Sequence, residues 1–281
     1  MFDFIKRARQ ALTIEAAMIS HVGAVRVHNE DMVSFVVLPR QDGARSETVL
    51  GVVADGMGGH AAGEVASEIA VEACLGRFRQ VANDASGWLR TTLLAADASV
   101  KVAAQADLSR TGMGTTIALV LVREGRLYTG HVGDCRIYRL RNGALKRLTR
   151  DHSLVAEWVA RGELSEDAAR HHPKKNIVLQ AIGQGQEIVP EVSARGHALE
   201  CGDRILVCSD GLTDALTDLA IASCLRNADG AGTACKVLCH QALKAGAPDN
   251  VSIGVFDVHR LAAASAPLSE TGDIFIEGAP S

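Results

Sequence analysis

The sequence has no excess of positive charge, no CxxC pair and no apolar run long enough to span a bilayer. Each lack removes a class of protein. A formal charge of −4 without a basic stripe, and only 4% aromatic residues, argue against nucleic acid or an anionic membrane surface as a partner. The seven cysteines (Cys74, Cys135, Cys201, Cys208, Cys224, Cys235 and Cys239) are odd in number and read as reduced thiols rather than a disulfide framework. Cys235, Cys239 and His240 stand at helical spacing, but the fourth ligand of a zinc site is missing, so buried thiols are expected there. The opening "MFDFIKRARQAL" lacks the apolar stretch of a signal peptide, and no later run reaches the ~18 apolar residues of a membrane helix. A cytoplasmic protein is expected, with residues 1–12 as an N-terminal extension. Phe2, Phe4 and Ile5 beside Lys6, Arg7 and Arg9 are read as a frayed terminus in preference to an interfacial helix.

What is present is material for a large core. Of 281 residues 47% are apolar and 22% charged, which suits one large domain with tails. "TIEAAMISHVG" and "MVSFVVLP" predict two strands around the polar turn "AVRVHNED". "TVLGVVAD" is almost wholly apolar, so it reads as a central strand covered on both faces, with Asp55 at its end. Residues 63–81 and 86–105 carry apolar positions at helical spacing and predict two long helices over one sheet face. The stretch 114–148, with turns at "REGR", "VGD" and "RNGA", reads as hairpins, which favours antiparallel sheet over a Rossmann fold. Residues 154–171 return to helix, and "DRILVCSD" is a buried strand ending in an acid. Helices around 216–226 and 233–245 precede a last strand, "NVSIGVFDV". Beyond His259 the composition turns to Ala, Ser, Pro and Gly, and 260–281 is expected to be a disordered tail, with "DIFI" as a docking strand the weaker alternative.

Acids recur beside Gly or Asn at strand and turn edges: Glu30 and Asp31 in "HNED", Asp55 in "ADGMGG", Asp134 in "VGDCR", Asp210 in "SDG", Asp249 in "PDN". Any one of them alone is best read as a turn residue. Six together are not. A carboxylate after an apolar strand is costly to bury unless paired or bound to metal, and an all-oxygen set suits hard cations such as Mg²⁺ or Mn²⁺. Gly56 lets the backbone approach such an ion. A phosphate loop made by Gly56, Gly58 and Gly59 is disfavoured, since "GK[ST]" is absent. Arg26, five residues before Asp31, is either a phosphate clamp or a surface arginine paired with Glu30.

In this order, "RVHNED", "VVADGMGGHAAGEVAS", "GMGTTIALVLV", "GHVGDCRIYRL", "LTRDHSLV", "LVCSDGLTD" and "APDNVSIGVF" resemble the metal-dependent type 2C (PPM family) Ser/Thr protein phosphatases, the compact bacterial ones in particular, over residues 14–258. The resemblance implies an α+β fold, a four-layer α/β/β/α sandwich with two central antiparallel sheets, as a catalytic domain over 13–259 with a flap at 153–184. It implies two Mn²⁺ or Mg²⁺ ions bridged by Asp55, with the Gly56 carbonyl, Asp210 and Asp249 on the first and Glu30 and Asp31 around the second. Asp134 with Asp210 would hold a third, weaker metal, and Arg26 would grip the phosphate. The reaction implied is in-line attack by a metal-activated water, without a phosphoenzyme; none of the cysteines has a Cys-x5-Arg phosphate-loop setting, the one match in spacing, Cys135 to Arg141, lying in a run read as strand. Met57 replaces a histidine that many eukaryotic members carry and cannot donate a proton. The acid is therefore expected to be a water on the metals, with His60 and His152 as less favoured substitutes. In the flap, "HHPKKN" reads as a solvated loop in preference to a substrate contact.

The partners implied are phosphorylated proteins and a cognate bacterial Ser/Thr kinase, with the protein acting as a monomer; among cellular settings, overall likeness favours type VI secretion control. Two alternatives remain at this point. A pseudophosphatase serving as a phosphoprotein-binding module would be expected to lack a metal acid, and all five core acids are present. A two-metal phosphohydrolase of nucleotides would be distinguished by its substrate preference.

Overall fold

The computed structural model describes residues 11–58, 62–81, 83–185, 187–261 and, as backbone pairing, 273–277. In chain order the elements are β1 (Leu12–His21), β2 (Asp31–Leu38), β3 (Thr48–Met57), α1 (Ala62–Arg77), α2 (Ala85–Ala106), β4 (Gly114–Arg123), β5 (Arg126–Val132), β6 (Arg136–Arg141), β7 (Ala144–Arg147), α3 (Leu154–Ala160), α4 (Glu166–Arg170), β8 (Glu191–Val192), β9 (His197–Ala198), β10 (Arg204–Cys208), α5 (Asp210–Ala215), α6 (Asp218–Asn227), α7 (Gly230–Lys244), β11 (Val251–Arg260) and β12 (Asp273–Glu277).

Period-two alternation sorts the strand residues into layers. On β2 and β3, Val33, Phe35, Val37, Val49 and Val53 point into a core shared with Ile205, Val207, Phe256 and Val258 of the other sheet. The intervening Leu50, Val52 and Ala54 pack instead against α1 and α2. On the far side, Leu206, Cys208, Ile253 and Val255 pack under α5, α6 and α7. Three apolar layers thus separate four structural ones, the expected α/β/β/α sandwich. One sheet runs β12-β1-β11-β10-β6-β7, the other β2-β3-β4-β5-β8, with β9 also paired to β5.

β1 and β2, neighbours in sequence, lie in different sheets, as do β5 and β6. The chain therefore crosses between sheets at 22–30 and again at 133–135. At the second crossing Gly133 has φ +102°, and a Cβ there would collide with the Thr116 side chain, so only glycine makes this turn.

Several local expectations change. The strand read as ending at Asp55 runs on to Met57. Asp210 is not at a strand end but is the first residue of α5. The helix expected over 154–171 is two short helices, because Ser153 and Ser165 each turn their hydroxyl onto a backbone N–H three residues on and start a helix of their own. In the segment expected to be a disordered tail, β12 pairs in parallel with β1 from Ala17↔Asp273 to His21↔Glu277. The physical reason is the outer edge of β1, whose N–H and C=O groups would otherwise be unpaired, and it makes this the one parallel pair between named strands of the described residues. Cys235 and Cys239, on the inner face of α7, are buried as expected, Cys235 donating its S–H to the Ala17 carbonyl at 3.3 Å. The extension 1–10, with Phe2, Phe4 and Ile5, lies outside the described residues. No helix among the described residues is long and apolar enough to cross a membrane.

The inter-sheet core depends on Phe256, fully buried and edge-on to Phe35 with ring centroids 6.3 Å apart. Replacing Phe256 with Ala is expected to destabilise the protein by about 3–5 kcal/mol, read as a lowered urea midpoint at unchanged slope.

Candidate metal centre

The same alternation that sends Val33 and Val53 into the inter-sheet core sends Asp31 and Asp55 there too, at the end where the chain crosses between sheets. The β2–β3 register sets Asp31 opposite Asp55. From the other sheet, Asp210 starts α5 right after Ser209, and Asp249 stands just before β11. Asp134 sits in the Gly133 crossing, buried. All six acids named from the sequence are brought to one place: Asp55 feels the charges of Asp31, Asp210, Asp134 and Asp249, and Glu30 feels that of Asp249.

A set of uncharged groups holds the acids there. Asn250 Nδ2 donates to the carbonyls of Val22 and His28, both at 2.9 Å, and its Oδ1 accepts from the Glu30 N–H at 2.9 Å. One side chain thereby stitches the first crossing to the start of β11. Gly56 N–H donates to the Glu30 carbonyl at 3.1 Å, and a Cβ on Gly56 would strike the carbonyls of Glu30 and Gly63. Ser67 of α1 also donates to the Glu30 carbonyl, at 2.7 Å, and Thr115 donates to that of Asp55 at 2.8 Å. Ser209 and Ser252 bond to Asp31. None of these was singled out from the sequence except Gly56. The available signals were Ser252, a polar residue at an inward position of an apolar strand, and the Asn that follows Asp249.

Burial and mutual repulsion raise the carboxyl pKa values. Asp31 is raised to about 7, by burial first and then by Asp210 and Asp249, against the hydrogen bonds from Ser252 and Ser209. Asp210 is raised to about 6, by burial, Asp214 and Asp249, with Lys175 opposing. Asp55 and Asp134 lie well above the ordinary carboxyl value, chiefly from burial. Glu30 is raised by burial, which outweighs the nearby Arg26. Arg26, about half exposed, donates from Nη2 to Asp249 Oδ2 at 2.7 Å, so its ion-pair partner is Asp249 and not Glu30.

The group fits hard cations. Asp31 Oδ2 and Asp210 Oδ1 are buried with no hydrogen-bond partner, the donors are oxygens throughout, and the charge is partly compensated by Arg26 and Lys175 and, near Asp134, by Arg136. Divalent ions would accept those orphaned lone pairs and relieve the repulsion together.

Of the two histidines considered as donors, His152 is described, and it does not face the acids. His152 Nδ1 accepts from the Gly133 N–H at 3.2 Å, its ring stacks on His131 at 4.7 Å between centroids, and its Nε2 is 3.8 Å from Glu191. It braces the crossing that carries Asp134 rather than facing the acids. His60 and Gly59 lie outside the described residues. Met57 Sδ accepts from Gln184 Nε2 at 3.4 Å, at the end of the flap.

The chain is similar to known proteins over most of its length. Residues 28–228 match the family described as Protein phosphatase 2C. The chain is 34% identical over 236 residues to the serine/threonine phosphatase stp of Listeria monocytogenes, covering 82% of this chain and 90% of that one. The crystal structure of the PstP serine/threonine phosphatase catalytic domain with 2 manganese ions superposes with a TM-score of 0.76 at 32% identity, over 89% of this chain and 100% of that one. PppA of Pseudomonas aeruginosa, titled a key regulatory component of the type VI secretion system, superposes with a TM-score of 0.70 at 32% identity, over 88% and 98%.

The raised carboxyls set a pH dependence for the metal-free protein. Below pH about 4 the folded and unfolded chains both hold these protons; above it the unfolded chain releases them first, so the stability contributed by Asp31 and Asp210 falls as pH rises towards about 7. In EDTA the melting temperature is expected to fall between pH 5 and 7.5, to fall less in Asp31→Asn, and to recover on adding a divalent cation more fully in wild type than in that variant.

Proposed function

The chain belongs to the protein phosphatase 2C family and is a metal-dependent protein serine/threonine phosphatase; we propose that the acids at the crossing between its two sheets are the seat of that activity. Asp55, Gly56, Asp210 and Asp249 would hold one Mn²⁺ or Mg²⁺, with Asp55 shared and Glu30 and Asp31 serving the second. Asp134 with Asp210 would take a third. The observation that supports this most is the pair of orphaned buried oxygens, Asp31 Oδ2 and Asp210 Oδ1, within a group of six carboxyls drawn from five separate chain segments.

Bound there, the metals supply a water of lowered pKa and neutralise phosphoryl oxygens. The chain's own residues supply position. Asp31 and Asp55 are fixed by strand register, Asp210 by the start of α5, and Asp249 by its neighbour Asn250. Arg26 stands at the exposed rim with one nitrogen on Asp249, which leaves the rest of its fork to meet the phosphate of an incoming phosphoserine or phosphothreonine. Met57 offers no proton and His152 is engaged elsewhere, which supports a water on the metals over His152 as the donor to the departing alkoxide; His60 lies outside the described residues.

The catalytic unit is taken as 13–259, acting as a monomer in the cytoplasm on phosphorylated proteins, and a bacterial Ser/Thr kinase is its opponent. Five of the seven cysteines are buried and none is in a disulfide, which suits a reducing compartment. Likeness to PppA supports type VI secretion as the setting.

The test is phosphate release from a phosphothreonine peptide in Mn²⁺, Mg²⁺ or EDTA. Turnover is expected with metal only and is expected to drop at least about 100-fold in Asp210→Ala. Loss of the charged hydrogen bonds in Arg26→Ala is expected to lower kcat/KM by about 10- to 150-fold. No turnover with any divalent metal in a folded protein would leave a phosphoprotein-binding module instead.

A further inference from the structure

The flap, 153–184, covers a cleft of about 700 Å³ whose inner end is formed by Asp134 and Asp210. One wall is α3 and α4 of the flap; the other is α5 and the start of α6. The flap is anchored at its base by backbone hydrogen bonds: Leu179 N–H to the His152 carbonyl at 2.7 Å, Leu154 N–H to Ile177 at 2.9 Å, and a reciprocal pair between Thr115 and Ile182 at 3.0 and 2.8 Å. These fix where the flap leaves and rejoins the body. They do not reach its far lip.

The lip is tied across the cleft by side chains. Lys175 Nζ forms an ion pair with the Asp214 carboxylate on α5, one helical turn beyond Asp210. Arg170, the last residue of α4, donates from Nη2 to the Leu216 carbonyl at 3.2 Å, just past the end of α5. The neighbouring Lys174 turns the other way, its Nζ 6.0 Å from the Trp158 ring centre, and His172 meets the same ring edge-on at 5.1 Å. The "HHPKKN" segment is a loop with His171, Pro173, Lys174 and Asn176 exposed, as its composition suggests, while His172 packs on the flap's own helix and Lys175 reaches across. Val155, Val159 and Leu219 line the passage between.

We propose that Lys175 and Arg170 are positioning residues that latch the flap lip to Asp214 and Leu216, and so set the passage through which the polypeptide around a phosphoresidue reaches Asp134 and Asp210. The inference rests on the phosphatase reading of the metal centre. A small phosphate ester needs no wall to reach that centre, whereas an extended phosphopeptide lies along the cleft and loses contacts when the lip swings away. The latch thereby sets preference between substrates without touching the reacting atoms.

The experiment compares wild type, Lys175→Ala, Lys175→Arg and the double variant Lys175→Ala/Arg170→Ala on a phosphothreonine decapeptide and on p-nitrophenyl phosphate in saturating Mn²⁺. Hydrogen exchange over 164–176 reads the lip without reference to activity. The expected result in the double variant is a rise of about three- to tenfold in KM for the peptide relative to that for p-nitrophenyl phosphate, with faster exchange at the lip; because Lys175 lies in the field of Asp210, the latch is read from that ratio and not from kcat. Lys175→Ala should show a smaller rise of the same kind, and Lys175→Arg should behave as wild type, because it keeps the pair. Unchanged peptide KM and exchange in the double variant would overturn the latch. So would an equal fall in kcat/KM for both substrates, which would place the whole effect at the metals. If wild type turns over neither substrate, the phosphatase reading itself fails and the latch falls with it.

Discussion

Mutual repulsion among buried carboxylates is the constraint around which the molecule is arranged. Asp31, Asp55, Asp134 and Asp210 all have raised pKa values because burial withholds solvent and because each lies in the field of others. Left to a flexible chain, such groups would move apart. Here they are carried by the ends of strands already committed to a packed core, so the free energy of apolar burial opposes the repulsion.

The sandwich performs this by separating tasks along its strands. The middles of β2, β3, β10 and β11 carry Val, Ile and Phe into the inter-sheet core, and the ends of the same strands carry Asp31, Asp55, Ser209 and Ser252 on the same face. Rigidity comes from one and charge from the other. The crossing segments are braced by groups that add no charge: Asn250 with three hydrogen bonds, Gly56 pressed against two carbonyls, and His152 held by Gly133. Some ion pairs serve the fold alone, as in the Arg204–Asp257 pair at 2.5 Å, whereas Arg26–Asp249 and Arg136–Asp151 lie at or beside the centre.

Much of this was legible in the residues. Strand runs, hairpin turns and two long helical patterns led to antiparallel sheets flanked by helices, and acids beside Gly or Asn led to a hard-cation centre. What was misread had non-local causes. Asp210 followed an apolar run and was taken for a strand end, but the run stops at Cys208 and Ser209 opens a helix. The 154–171 pattern hid a second start at Ser165, since a capping serine and a surface serine look alike in sequence. Residues 273–277 carry too little of their own to order a strand; the edge of β1 supplies the hydrogen bonds. Asn250 escaped notice because its three partners, Val22, His28 and Glu30, are more than 200 residues away.

The sequence by itself determined which residues are acidic, that Asp31 shares a strand face with Val33 and Asp55 with Val53, and that no cysteine or membrane chemistry competes with them. Strand alternation is local, so a single chain segment carries it. Only the tertiary structure decided that these two faces meet, that Asp134, Asp210 and Asp249 arrive there from the other sheet and the crossings, that Arg26 pairs with Asp249 rather than Glu30, and that Lys175 ties the flap to the helix of Asp210. Register, sheet packing and burial join residues far apart in the chain, and the electrostatics of the centre exist only once they are joined.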